Sequence, residues 1–246
     1  MGFGGIPMKK LLVLFAGLLL LTGCVPVDSL NPLSTDKNIV FDESLLGTWV
    51  GPDNGKEGEL EFSTLVENGK QAYVLTMTDK NSDDGRCRSV SVYHAHLVTL
   101  SGHRFLDLVP EVIDARAESY ALQIRSGKNG SAIEPRLLRL SSAAYLEFDD
   151  KSQADGKVQA RLRRAHWFLR VNHDDKKLQL NWADDDVFRK AVQAGTVKLP
   201  SMLLGEGKNT DVVITASTQE LQRFLVEHAD DEMFFNRKAD PLHRKE

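Results

Sequence analysis

The stretch Leu60-Glu61-Phe62-Ser63-Thr64-Leu65-Val66-Glu67-Asn68-Gly69-Lys70-Gln71-Ala72-Tyr73-Val74-Leu75-Thr76-Met77 decides the fold. Leu60, Phe62, Thr64 and Val66 share one face of an extended segment, and Tyr73, Leu75 and Met77 share one face of the next, because side chains alternate sides along a strand. Between the two segments stands Asn-Gly, whose residues tolerate the positive φ that a two-residue hairpin turn requires. The pattern predicts an antiparallel hairpin.

Working outward, the same two-residue alternation, broken by Gly, Asn and Asp clusters, predicts strands at Ser89–Leu100, His103–Val109 and Ser119–Arg125, and an apolar stretch from Leu137 to Phe148. A second hairpin is expected from Ala160 to Val171, a turn over Asn172 to Lys176, and a return strand through Leu178, Leu180 and Trp182. Two helices follow. The first is predicted over 185–194, with Asp184, Asp185 and Asp186 at its positive N-terminal end and Gly195 beyond its C-terminus. The second is capped by Ser217 with Glu220 completing a capping box, a small staple between Ala216 and Leu221, and an apolar stripe of Leu221, Phe224, Leu225 and His228 that should lie on the sheet. The predicted class is mainly β: an antiparallel meander closing into a small barrel, with two C-terminal α-helices. Closure removes the exposed edges of an open meander; a two-sheet sandwich is the alternative.

The chain begins differently. Met8-Lys9-Lys10, an apolar run from Leu11 to Leu21, and Leu21-Thr22-Gly23-Cys24 form the charged, apolar and small-residue parts of an export signal. The run is about half of the ~20 apolar residues that a membrane-crossing helix needs. Leu-Thr-Gly-Cys resembles the bacterial lipobox, which implies lipid on the Cys24 thiol and removal of residues 1–23. Several acyl chains, palmitate among them, would hold the protein firmly on a membrane. Val25, rather than aspartate, after the cysteine implies the outer membrane, facing the periplasm. An ordinary secretory signal ending in cysteine is the alternative. Residues 1–7 carry no charge, so translation starts at either Met1 or Met8, and Ile6 argues against myristoylation at Gly2. The expected organisation is a signal peptide at 1–23, a lipidated cysteine and flexible tether at 24–40, and one β-rich domain with C-terminal helices at 41–246.

Removing residues 1–23 takes away Lys9 and Lys10 from 31 basic residues and none of the 35 acidic ones, leaving a net charge of −6. That balance argues against nucleic acid as a partner; Arg161-Leu162-Arg163-Arg164 reads as a strand with one solvated face. With Cys24 lipidated, Cys87 has no disulfide partner. It is either an inert buried thiol or a reactive one whose pKa Arg86 and Arg88 lower.

Leu45-Leu46-Gly47-Thr48-Trp49 resembles the Gly-x-Trp opening of the lipocalins and related calyx barrels. The resemblance implies that Trp49 closes the base of a barrel and that Gly47 allows close packing around it. It covers this strand and the general meander; the family's later Thr-Asp-Tyr motif has no counterpart, since Thr78-Asp79-Lys80 comes too early and lacks the aromatic. The lipobox, the first-strand phrase and the closing stretch Thr215 to Leu221 through His228 to Asp231 are also similar to bacterial lipoproteins described only as uncharacterised, which implies no activity.

His94 and His96, two apart on a strand, face one side in an otherwise apolar row of Val90, Val92, Val98 and Leu100. They are a polar spot in a ligand cavity, a metal site lacking its third ligand, or two histidines bonded to neighbouring strands; His103 is the one further histidine that strand pairing could bring near. Asp184 to Asp186 lack the glycine and terminal glutamate of a calcium loop, and Asp83-Asp84-Gly85 reads as turn chemistry. No nucleophile elbow, Walker loop, His-Glu-x-x-His or paired-cysteine motif occurs, so no catalytic residue, metal or cofactor is expected. The expected function is non-enzymatic: a lipid-anchored barrel holding a small apolar or amphipathic ligand, with Trp49, His94 and His96 in or under the cavity. The runner-up is an accessory of an envelope assembly that binds a protein partner through a solid barrel; a metal-dependent hydrolase using the histidine pair is a distant third.

Overall fold

The computed structural model describes residues 27–67, 69–80, 87–111, 137–141, 144–148, 160–204, 210–232, 234–235 and 240–246. Two short strands, β1 (Asp28–Ser29) and β2 (Ile39–Val40), precede a single 3-10 turn at Glu43–Leu45. The meander follows as β3 (Gly47–Val50), β4 (Gly58–Glu67), β5 (Lys70–Lys80), β6 (Cys87–Leu100) and β7 (His103–Pro110). Next come β8 (Leu137–Ser141), β9 (Ala144–Phe148), β10 (Ala160–Arg164), β11 (Trp167–His173), β12 (Lys177–Trp182) and helix α1 (Asp185–Gln193). The chain closes with β13 (Ser201–Leu204), β14 (Asp211–Ile214), helix α2 (Thr218–Glu227) and β15 (Leu242–Arg244).

Eight antiparallel strands form a closed ring in the order β6-β5-β4-β3-β15-β12-β11-β7, with β7 returning to β6, so the fold is a lipocalin-like small barrel rather than a sandwich. The deciding hairpin forms as read: Glu67 pairs with Lys70 across the two-residue turn, and Gly69 takes a positive φ of 76°. The register carried from Trp49 through Leu60, Met77 and Ser91, and the other way through Arg244, meets on β7 with a stagger of twelve residues. So large a stagger tilts the strands steeply and widens the interior relative to an unstaggered ring.

Two apolar cores result. The first fills the barrel with inward side chains including Trp49, Phe62, Tyr73, Leu97, Leu106 and Leu169. The second lies outside it, where Val98, Phe105 and Phe168 on the outer wall meet Phe188 of α1, Leu221, Phe224 and Leu225 of α2, and Val212 and Ile214 of β14. The capping box of α2 is present, with Ser217 and Glu220 bonded to each other's backbone N–H, and Ala216 and Leu221 are buried together in the second core. Asp184 caps α1 by accepting from the Val187 N–H at 3.0 Å, and Gly195 follows that helix with φ 69°.

Two expectations are corrected. The segment assigned to a flexible tether is packed from Val27 onward: Val27, Leu30 and Leu33 are buried, β1 pairs in parallel with β14, and Ser29 exchanges backbone hydrogen bonds with His166. Its Ser, Asn and Pro residues read as solvated chain, yet their polar groups are used: Asn31 donates to the Ala216 carbonyl at 2.8 Å, and the Pro32 and Leu33 carbonyls accept from Thr218 and Gln222 of α2. The strand expected from Ala160 to Val171 is two strands in different sheets. β10 pairs with β9 in a small sheet completed by β8, β11 pairs with β7 and β12 in the barrel, and the change occurs at Ala165-His166, where Ser29 bridges. The strand expected at Ser119–Arg125 lies outside the described residues.

Candidate functional site

The two ends of the barrel differ. At one end lie Gly69 and the turns at 101–102 and 174–176, and the 3-10 turn lies against the strands there, with Ser44 reaching His173 and the Asp42 N–H donating to the Tyr73 hydroxyl. Trp49 is fully buried there; its indole N–H donates to the Leu45 carbonyl at 2.9 Å, and the Arg244 guanidinium stacks over its ring at 4.6 Å. Gly47, at φ 109°, makes that stacking possible, since a Cβ there would come within 2.9 Å of Arg244 Nη1. Trp49 is thus packed into the interior between Leu45 and Arg244.

Below it, Asp42, Ser44, Arg104 and His173 form a closed polar loop. Ser44 Oγ lies 2.8 Å from His173 Nε2 and 2.6 Å from Asp42 Oδ1, and Arg104 reaches Asp42 Oδ2 at 2.7 Å and His173 Nδ1 at 3.1 Å. A serine, a histidine and an aspartate in contact invite comparison with a nucleophilic triad, but the roles are reversed. Arginine can only donate, so His173 Nδ1 accepts from it and the ring proton sits on Nε2, pointing at Ser44, whose own proton goes to Asp42. Asp42 accepts the serine's hydrogen bond but, held well below the usual carboxylate range, is a weak base, and His173 turns its N–H rather than a lone pair toward the hydroxyl. Burial and the neighbouring Arg104 hold the His173 pKa below its ordinary value, keeping the ring neutral, and the bonds from Ser44 and Arg104 hold Asp42 well below the carboxylate range. The loop is a lock on the base. A shallow cavity of about 200 Å³ beside it is lined by Gly102, His103, Arg104, Arg170, Val171, Asn172 and His173. It falls below the volume of a pocket for a drug-sized molecule.

Among the described residues, β8, β9 and the segment around Leu30 cover part of the opposite end. Leu137 and Tyr145 of β8 and β9, with Leu30 and Val213, continue the barrel core over Tyr93 and Trp167, whose rings meet at 5.4 Å. Under that cover Asp28 is nearly fully buried. It accepts from the Trp167 indole at 2.5 Å and from the Tyr145 hydroxyl, and Arg139, which also pairs with Asp211, lies 3.4 Å from it. Burial raises the Asp28 pKa against the pull of those three partners. Asp185, at the start of α1, is pushed up to about 6 by burial and by the nearby carboxylates of Asp211, Asp186 and Asp28, with Arg189 opposing. Toward this end the inward-facing Leu60 of β4, Met77 of β5 and Trp182 of β12 are half-buried, as are Met202 and Leu204 of β13, all packed against the barrel core.

The structure separates the residues that the sequence reading grouped. Trp49 is in the base. His94 and His96 are on the outer face of β6, because Tyr93, Ala95 and Leu97 are the residues that point into the barrel. Their apolar companions Val98 and Leu100 pack in the second core under the helices, which is why the row looked like the wall of a cavity. This corrects their placement in a cavity: both are half-buried, and His96 Nε2 stands 3.6 Å from Glu67. No group of three metal-ligating side chains occurs among the described residues. Cys24 and the Cys87 side chain lie outside the described residues. Sequence reasoning missed Asp28 and Tyr145; a carboxylate among aliphatics four residues after Cys24 was the available signal.

Comparison with known proteins gives no match to any family model, to any curated protein or to any solved structure. What the fold defines is a class: a closed eight-stranded antiparallel barrel with two helices packed on its outer wall.

Proposed function

We propose that the chain is an exported lipoprotein, lipid-attached at Cys24 and held on the outer membrane facing the periplasm, and that its barrel mouth receives the apolar part of an amphipathic molecule without catalysis. One observation carries the ligand reading. Trp49, Phe62 and Tyr73 inside the barrel are fully buried, whereas the inward-facing Leu60, Met77 and Trp182 are only half-buried. Exposed apolar surface is stabilised when an apolar group covers it, at roughly 25 cal/mol per Å², and methionine adapts to irregular shapes. Because the interior beneath is filled, the mouth would take up a short length of acyl chain and leave a polar headgroup outside.

The filled base is also the observation that favours the second reading, a protein-binding accessory of an envelope assembly. Titration of the chain from Val25 onward with a long-chain fatty acid, following tryptophan emission, separates the two. The ligand reading expects a saturable change that is lost in Trp182→Phe. Emission unchanged at every concentration leaves the partner-binding reading.

A further inference from the structure

We infer that the sheet of β8, β9 and β10 is a latched cover over the barrel end that carries Tyr93 and Trp167, held shut by a strap of residues 28–31 and able to leave as a unit while the barrel stays folded. Among the described residues, no strand pairing joins this sheet to the barrel: β10, β9 and β8 pair with one another, apart from the barrel's ring. The chain passes from cover to barrel at Ala165-His166, where β10 gives way to β11.

A single row of side chains ties the cover to the strap. Arg139 of β8, Tyr145 of β9 and Arg163 of β10 are cross-strand partners, so they stand side by side on one face of the sheet. The Tyr145 hydroxyl donates to Asp28, and Arg139, which also pairs with Asp211, lies 3.4 Å from the same carboxylate. Arg163 donates to the Leu30 carbonyl at 2.6 Å and to Asn31 Oδ1 at 2.9 Å. Asp28 accepts from the Trp167 indole as well, so one buried carboxylate bonds cover and barrel wall at once. Leu137 and Tyr145 share their apolar core with Leu30, Tyr93 and Trp167. A cover that leaves gives up that core, and its ladder amides open to solvent with it.

The strap is fastened to the rest of the molecule by bonds that do not involve the cover. Ser29 exchanges backbone hydrogen bonds with His166, β1 pairs with β14, and Asn31 donates to the Ala216 carbonyl. Just beyond the strap a second buried carboxylate acts as a clamp: Asp107 accepts from the Leu33 N–H at 2.9 Å, the Ser34 N–H at 2.9 Å and the Ser34 hydroxyl at 2.8 Å, and meets His166 Nδ1 at 2.9 Å. When the row of bonds breaks, the strap stays on the wall, and departure of the cover bares Tyr93 and Trp167.

Native-state hydrogen exchange of the full chain at increasing urea is the test. The β8 and β9 amides should exchange faster than those of β4 and β5, through an opening that depends less on urea because it exposes less surface than unfolding does. Arg163→Ala and Tyr145→Phe, each removing a bond between cover and strap, should speed the cover amides by about tenfold. Gly47→Ala weakens the barrel, which stays folded when the cover leaves, so it should speed the β4 and β5 amides and not those of the cover. Cover and barrel amides that exchange at one rate with one urea dependence, or that Gly47→Ala speeds equally, would overturn the inference. Cover amides indifferent to both Arg163→Ala and Tyr145→Phe would overturn the latch.

Discussion

Replacing Gly47 by alanine probes the device that closes the barrel. The residue sits at φ 109°, where an L side chain is strained, and the new Cβ would meet Arg244 Nη1 at 2.9 Å. Backbone strain of this kind costs about 1–3 kcal/mol. Arg244 is flexible at its tip and can swing away, but it then gives up its place 4.6 Å over Trp49 and its bonds to the Leu46 carbonyl at 2.6 Å and the Ser44 carbonyl at 2.5 Å. The stacking contributes about 0.5–1 kcal/mol. The two exposed hydrogen bonds together contribute on the order of 1 kcal/mol after solvent screening. Gly47→Ala should therefore destabilise by roughly 3–4 kcal/mol in all. In an Arg244→Ala background only the backbone part remains, so the two substitutions should couple by about 1–2 kcal/mol in a double-mutant cycle. Urea unfolding of the four proteins, followed by far-UV circular dichroism, measures both quantities. Strict additivity, or a Gly47→Ala cost under about 1 kcal/mol, would refute the reasoning that Arg244 packs over Trp49 because position 47 has no side chain.

Other expectations follow from the buried charges. Asp107→Ala strands the amides of Leu33 and Ser34 in a buried place and should cost about 3 kcal/mol, with faster hydrogen exchange at those two amides than at the α2 amides; equal protection in both proteins would count against the clamp. His173 is held neutral in the fold with a pKa below the ordinary value near 6.5. The unfolded chain therefore binds the extra proton, and stability should fall as pH drops below about 6.5; His173→Asn should flatten that limb, and an unchanged urea midpoint profile would contradict it. Asp185, raised to about 6, has the opposite sign. Its folded form holds a proton that the unfolded form has released, so stability falls as pH rises from about 4 to 6. Asp185→Asn should then gain on the order of 1 kcal/mol at pH 7 after discounting for its partial exposure, read as a rise in Tm.

The barrel was legible where one face met the core and the other met water. Leu60 to Met77 alternate cleanly because β4 and β5 are solvated outside, and α2 was legible from the hydrogen-bonding of Ser217 and Glu220 alone. Legibility failed wherever the barrel's outer wall is itself buried. Val98, Phe105 and Phe168 face a second core made by distant helices, so alternation no longer says which side is inside, and His94 and His96 fell on the wrong one. The packing of Val27 to Leu33 was hidden for a related reason: its partners, Asp107, His166, Ile214 and Gln222, are 74 or more residues away in sequence, and local composition carries no trace of them. The base of the candidate site was announced by Gly47 and Trp49. The mouth was not, since half-burial of Leu60, Met77 and Trp182 is a property of closure rather than of any local pattern.

The central claim is that the mouth holds an apolar group, and native mass spectrometry of the protein, extracted gently from its own envelope and compared with the same sample after denaturation, tests it most directly. The account predicts a lipid-sized mass that accompanies the native protein, leaves on denaturation, and is absent or depleted when Trp182 and Met77 are replaced by charged residues. A native mass equal to the denatured one, unchanged after lipids are added back, would contradict it.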